Sequence, residues 1–223
     1  MGNQEPDTAL RDGAGLPAHE RVYRRLRTMV LFGELEPGQA VTIQGLTDRM
    51  GAGMTPVREA IRRLTAEGAL QALGNRRIEV PVLDAAAVEQ LGLARAALEP
   101  ELARRAATRA TADDIARLRA TDARLDRAIA RGDVAGYLTQ NHRFHAELNA
   151  IAEAPILTDM VDGLWLRFGP SLRVVCGLFG TRNLPDRHKD LLAALDARDS
   201  AAAAEAMHQD VSQGMAQIRA GLE

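Results

Sequence analysis

The chain has 223 residues, 46% hydrophobic and 26% charged, with a formal net charge of −2. That balance describes a globular protein of one large or two small domains and excludes a chain that is basic throughout. A single cysteine, Cys176, excludes a disulfide framework or a cysteine metal cluster, and the lack of a long apolar run or secretory pattern points to a cytoplasmic protein with no membrane partner.

Aromatic residues make up only 3% of the chain, and alanine and leucine are prominent, which favours helix over sheet. Residues 1–16 are polar and glycine-bearing and are expected to be a disordered tail. A helical stripe of Val22, Leu26, Met29 and Val30 runs from about Pro17 to Phe32 and stops at Gly33. Glu36-Pro37-Gly38 is a turn. Ile43–Met50 is a short helix closed by Gly51. Thr55–Glu67 is the next, with Pro56 in its first turn, where a missing N–H costs nothing. Gly68 follows as a C-terminal cap. Leu70–Leu73 and Ile78–Val82 flank Gly74-Asn75 and read as a hairpin. Helix, helix, helix and hairpin make a winged helix-turn-helix over residues 17–82. From Asp84 onward only helical patterns appear, punctuated at Thr111, Gly132, Pro155, Thr181–Pro185 and Asp199. The expectation is mainly α: residues 83–223 form an all-α bundle of about six helices, with a kink at Pro100 and a break or kink at Pro170.

On Thr55–Glu67, Val57, Ala60, Ile61 and Leu64 form a buried face, and Arg58, Arg62 and Arg63 lie off it. Thr55 and Arg58 sit at the N-terminal end, which reaches base edges when such a helix enters the major groove. Arginine suits guanine because its fork matches the O6/N7 pair. From Glu20 to Val80 there are ten arginines against seven acids, a net of +3 that suits a DNA-binding module. The bland alternative is a solvated helix whose arginines keep it soluble.

Pro37-Gly38, the run TPVREAIRRL at Thr55–Leu64 and EGAL at Glu67–Leu70 resemble the GntR family of bacterial transcription regulators. The helical remainder resembles the FCD ligand-binding domain of the FadR subfamily. The resemblance implies a homodimer on a palindromic, double-stranded DNA operator, acting as a repressor and not as an enzyme. Its DNA affinity would answer to a small effector, an organic acid. The implied DNA-contacting residues are Gln44, Thr55, Arg58, Arg62, Arg76 and Arg77. Three departures stand out. Gln44 replaces the arginine usual in the helix before the turn, Gly53-Met54 replaces a Ser/Thr-Arg pair, and Arg76-Arg77 replaces Arg-Gly in the wing. They imply an operator unlike the subfamily's common one and more reliance on the wing.

In Val134–Ile151, Asn141 and His145 fall on the apolar face and His142 points away from it; in Leu184–Ala197, His188 sits at the centre of the stripe. Polar rings facing a helical core need partners, either separate hydrogen bonds or a shared metal. On the last helix periodicity does not choose between His208 and Asp210. Metal-binding FCD domains carry Asp-x-x-x-His on one helix and one His on each of two later helices, the last in a Met-x-x-His spacing. By that resemblance Asn141, His145, His188 and Asp210 form a site for a divalent ion (Zn, Ni or Mn), with Met207-His208-Gln209-Asp210 placing Asp210 last. Arg95 shares the inward stripe of Val88, Leu91, Leu98 and Leu102, with Glu99 one turn on. Either the two form an internal pair, or Arg95 clamps an acidic effector. Arg143, Arg167 and Arg173 are further basic candidates for the pocket. Two alternatives stay open: a metal-sensing regulator and a metal-dependent helical-bundle enzyme.

Overall fold

A computed structural model describes residues 15–74, 77–181 and 186–221. Arg76 of the expected wing contacts and Leu184 of the expected helix stripe lie outside the described residues, as do residues 1–14 of the expected tail.

Helix α1 (Ala18–Leu31) buries Val22, Tyr23, Leu26, Met29 and Val30, and the chain turns away at Gly33, whose φ is 65°. A two-residue strand, β1 (Ala40–Val41), follows. It was not expected, because so short a segment carries no period to read. Helix α2 (Ile43–Met50) starts at Thr42, whose hydroxyl accepts from the Gly45 N–H at 3.0 Å. It ends at Gly51, left-handed at φ 60°. Helix α3 (Met54–Ala66) begins one residue before its expected start and buries Val57, Ala60, Ile61 and Leu64 against α1. Strands β2 (Gln71–Leu73) and β3 (Arg77–Glu79) pair antiparallel, Leu73 opposite Arg77, and β1 joins the outer side of β3 in the order β1-β3-β2. Leu26 and Leu64 are fully buried at the centre of this unit. Truncating either to alanine costs about 2–5 kcal/mol.

Six further helices follow: α4 (Ala85–Arg109), α5 (Ala112–Arg131), α6 (Val134–Ile151), α7 (Pro155–Phe179), α8 (His188–Asp196) and α9 (Ser200–Ala220). Short polar side chains start most of them: Asp84, Thr111, Asp133 and Asp199 each accept a backbone N–H of the first turn. Thr111 and Asp114 form a reciprocal capping box. Helix α7 continues through Pro170, so of the expected break or kink there the break does not occur, and α4 continues through Pro100. A proline inside a helix removes one hydrogen bond, and the buried setting of Pro170 holds the helix together without it. Helix α4 packs along α9, and α6 lies against both α4 and α5.

Helix α1 also reaches across to α7. A Cβ placed on Gly169 would lie 2.2 Å from the Leu31 carbonyl oxygen, so the two helices meet backbone to backbone. Arg27 pairs with Asp162 at 3.6 Å, and Arg167 Nε donates to the Glu67 carbonyl at 3.3 Å.

Candidate functional site

The expected DNA-facing residues fall into two groups. Thr55 and Arg58 are exposed at the start of α3, and Arg58 makes no ion pair among the described residues. Of the other expected contacts, the described ones, Gln44, Arg62 and Arg77, are engaged within the protein. Arg62 grips Glu59 with two bonds of 2.5 and 3.0 Å. Gln44 donates to Asp48 at 2.9 Å, and Arg77 lies 3.8 Å from Glu79. Arg63 lies 3.5 Å over the Tyr23 ring and bonds Glu20 and Glu67 at 3.2 Å, so it staples α3 to α1. Of the α3 arginines, Arg58 alone keeps its fork free for a base edge.

The second site lies inside the helical unit. Ligand atoms of His145 on α6, His188 on α8 and Asp210 on α9 lie within 4.8 Å of one another. His145 Nε2 is 3.3 Å from Asp210 Oδ2. Asn141, one turn before His145, lines the same cavity. His208 is exposed, so the helix rotation that periodicity left open turns Asp210, not His208, inward.

Each imidazole is backed by a carboxylate, and each carboxylate by a cation. His145 Nδ1 lies 3.3 Å from Glu99 Oε2, and Glu99 is gripped by Arg95 at 2.5 Å. His188 Nδ1 lies 3.3 Å from Asp122 Oδ1, and Asp122 is held by Lys189 at 2.5 Å. A carboxylate at Nδ1 fixes the tautomer whose Nε2 lone pair points at a metal. Among the described residues His188 Nε2 has no hydrogen-bond partner, although the ring is fully buried and stacked 3.8 Å from Phe144. Two imidazoles and a carboxylate, with the Asn141 amide in the adjoining cavity, make a donor set of the type that fits a borderline divalent ion, and the unpartnered His188 Nε2 leaves a position for it.

Electrostatics agree. Burial opposes charge on His145, yet the bonds to Asp210 and Glu99 outweigh it and raise the ring to about 9. Burial likewise opposes the Asp210 charge, and His145 reverses this, holding the carboxyl well below its usual range. The centre thus attracts positive charge. A divalent cation would supply it and displace the ring proton.

Arg95 forms the internal pair with Glu99. Its guanidinium is bound by Glu99 through two bonds, touches Met215 Sδ at 3.5 Å and lies 4.2 Å from the Phe168 ring and 5.0 Å from Trp165. It still lines the cavity, a space of about 30 Å³ shared with Tyr137, Asn141, His145, Trp165 and Asp210. The three further arginines do not line it. Arg143 pairs with Glu147 at 2.7 Å on the surface, while Arg167 and Arg173 lie against Gly68 and Gly33 at the α1–α7 seam.

Sequence reasoning missed Asp122, Lys189, Asp186 and Trp165. The first two come from separate helices and meet only by packing, and Asp186 lies just ahead of α8. The sole tryptophan did carry a signal, since a lone indole in a chain so poor in aromatics has a specific place to fill. His142 also departs from expectation. It faces away from the cavity but into the seam, 5.7 Å from Phe32 and 5.2 Å from Trp165. Burial, with Arg27 nearby, lowers it to about 4.

Residues 18–80 match the family of bacterial regulatory proteins called gntR, and residues 90–213 match the FCD domain. The chain is 28% identical to the HTH-type transcriptional regulator McbR of Escherichia coli K12, covering 86% of this chain and 90% of that protein. It is also 28% identical to the HTH-type transcriptional repressor RspR of the same organism, covering 91% of each. The solved structure of E. coli McbR/YncC superposes with a TM-score of 0.87 at 26% identity, over 93% of this chain and all of that one. A putative GntR regulator from Rhodococcus sp. RHA1 shares the fold, with a TM-score of 0.75 at 20% identity over 90% of this chain and 96% of that one. These relatives are transcriptional regulators, which removes the enzyme alternative. No helix among the described residues is long and apolar enough to cross a membrane.

Proposed function

The chain belongs to the gntR family of bacterial transcription regulators that carry an FCD domain, and from this premise we propose that it is a homodimeric, metal-containing repressor of the FadR type. Its DNA module occupies residues 17–82 and its effector and dimerisation domain residues 83–223. The observation that carries the reading is the convergence of His145, His188 and Asp210 on one buried centre, with Asn141 lining the cavity beside them and carboxylates behind both imidazoles. These residues would hold a divalent ion, which would supply Lewis acidity toward the oxygen of a small organic acid. Arg95, bound to Glu99, is a wall of that pocket and a positioning group for His145.

Two recognition helices are needed to read a palindromic operator, because one covers a half-site. Ile156, Met160, Val174 and Leu178 are exposed along α7, which supports a second copy packing there. Trp165 touches His145 at 5.0 Å and His142 at 5.2 Å, and His142 touches Phe32 just past the end of α1. That chain of contacts supports coupling between the buried centre and the DNA module, provided the ligand binds the two arrangements with different affinity.

A second reading, metal sensing, is favoured by the size of the cavity. About 30 Å³ is room for roughly one or two waters, so the ion itself is a sufficient signal. Duplexes selected from a random-sequence library supply the operator, and mobility shifts then separate the readings. Metal-free protein is titrated with Zn, Ni or Mn alone, then with small carboxylates added. A response to metal alone supports sensing, and a response that needs the acid supports the organic effector. Absence of stoichiometric metal in folded protein purified without chelator overturns both.

A further inference from the structure

A second feature of the DNA module stands apart from the recognition helix. An open groove of about 480 Å³ runs between α1 and the α2–α3 turn, bounded by Arg21, Arg25 and Arg49 and by the turn Gly51-Ala52-Gly53. Arg25 and Arg49 share one carboxylate, Glu34, at 3.3 and 3.2 Å, and each stays about half exposed. Arg21 is bonded to the Leu16 carbonyl at 2.6 Å, which leaves its charge uncompensated. Three guanidinium groups thus meet one carboxylate. Unlike Arg63, none of the three lies over an aromatic ring among the described residues. The glycines at 51 and 53 put no side chain between the groove and the start of α3.

We propose that this groove seats the sugar-phosphate backbone of the duplex beside the base edges reached from the start of α3. The proposal rests on the DNA-binding reading and extends it to residues outside the recognition helix. Two observations favour DNA over any other acidic partner. The groove is continuous with the N-terminal end of α3, where Thr55 and the free Arg58 stand exposed. Its charge is also carried by arginines alone, whose forks match phosphate oxygens bidentately. Backbone charge contacts supply affinity without sequence information.

The test is the salt dependence of binding to a labelled, mixed-sequence duplex of about 30 base pairs, read by fluorescence anisotropy between roughly 50 and 200 mM salt. Each phosphate contact contributes about 0.9 to the slope of log K against log salt. The variant Arg21→Ala/Arg25→Ala/Arg49→Ala is expected to flatten the slope by about 2 to 3. Arg49→Lys keeps the charge and is expected to keep the slope. Arg24→Ala, whose guanidinium bonds Glu20 outside the groove, is expected to leave it unchanged. Should the triple variant fail to fold, Arg21→Ala reads the same quantity with an expected loss of about 0.9. A folded triple variant with the wild-type slope overturns the groove assignment and leaves the recognition helix untouched. A wild-type protein that binds no duplex at any salt overturns the DNA reading itself, and this proposal with it.

Discussion

Gly169 on α7 lies against the Leu31 carbonyl on α1, so close that a methyl group there would sit 2.2 Å from the oxygen. Overpacking of this kind costs about 1–3 kcal/mol, here concentrated where the DNA module meets the helical domain. Gly169→Ala is therefore expected to lower the melting temperature by a few degrees, about 2–4 °C per kcal/mol for a chain of this size. Gly177 lies in the same helix with nothing within 4 Å of an added Cβ. Gly177→Ala should raise the melting temperature, because alanine is the better helix former by roughly 1 kcal/mol. Equal shifts for the two would sink the close-approach argument.

The recognition helix divides its arginines by their partners. Arg58→Ala is expected to weaken selected-operator binding by at least about 5-fold, the lower end of what one bidentate base contact supplies. Arg62→Ala should cost less, because Arg62 is bonded to Glu59. Arg63→Ala should appear mainly as lost stability, because Arg63 covers Tyr23 and bonds Glu20 and Glu67. Footprinting titrations alongside thermal melts separate the three outcomes. Arg58→Ala with retained affinity contradicts the assignment.

Asp122 touches no ion in the proposed arrangement, yet it orients His188. Asp122→Asn is expected to lower metal affinity roughly 10- to 100-fold, the usual effect of losing such a partner. Competition with a chromophoric chelator measures it directly. Trp165 gives an independent readout. It is the only tryptophan in the chain and lies 5.0 Å from His145, so its emission should change on metal addition and fail to change in His145→Ala. An Asp122→Asn protein with wild-type affinity would remove the carboxylate from the site.

Burial pushes the Cys176 thiol up to about 12. At pH 8 its thiolate fraction is then ~10⁻⁴, and an aromatic disulfide reagent should leave native protein unmodified while reacting at once after denaturation. The folded value lies above the unfolded one, near 9. This contribution to stability is therefore fully present below about pH 9 and is lost as pH rises toward 12. Rapid modification at pH 8 without unfolding would show that the thiol is accessible.

The long amphipathic segments were legible because burial repeats every three to four residues. Val57, Ala60, Ile61 and Leu64 spell the inner face of α3, and Asn141 with His145 show that α6 turns polar groups inward. Caps at Thr42, Asp84 and Thr111 are local, so they too can be read from the chain. Strand β1 could not be read, since its two residues exist only by pairing with β3. The continuity of α7 through Pro170 was equally hidden, because neighbouring helices hold it and the local sequence argues the other way.

By itself, then, the sequence determined which faces of which helices are buried, and through its motifs which kind of regulator this is. Tertiary structure alone decided the use of each charged group. Asp210 turns inward where His208 turns out, and Asp122 arrives from α5 to meet both His188 and Lys189 of α8. The reason is range. Periodicity is set by neighbours three or four residues away, whereas an ion pair or a ligand set is fixed by packing between elements that the chain brings together from afar.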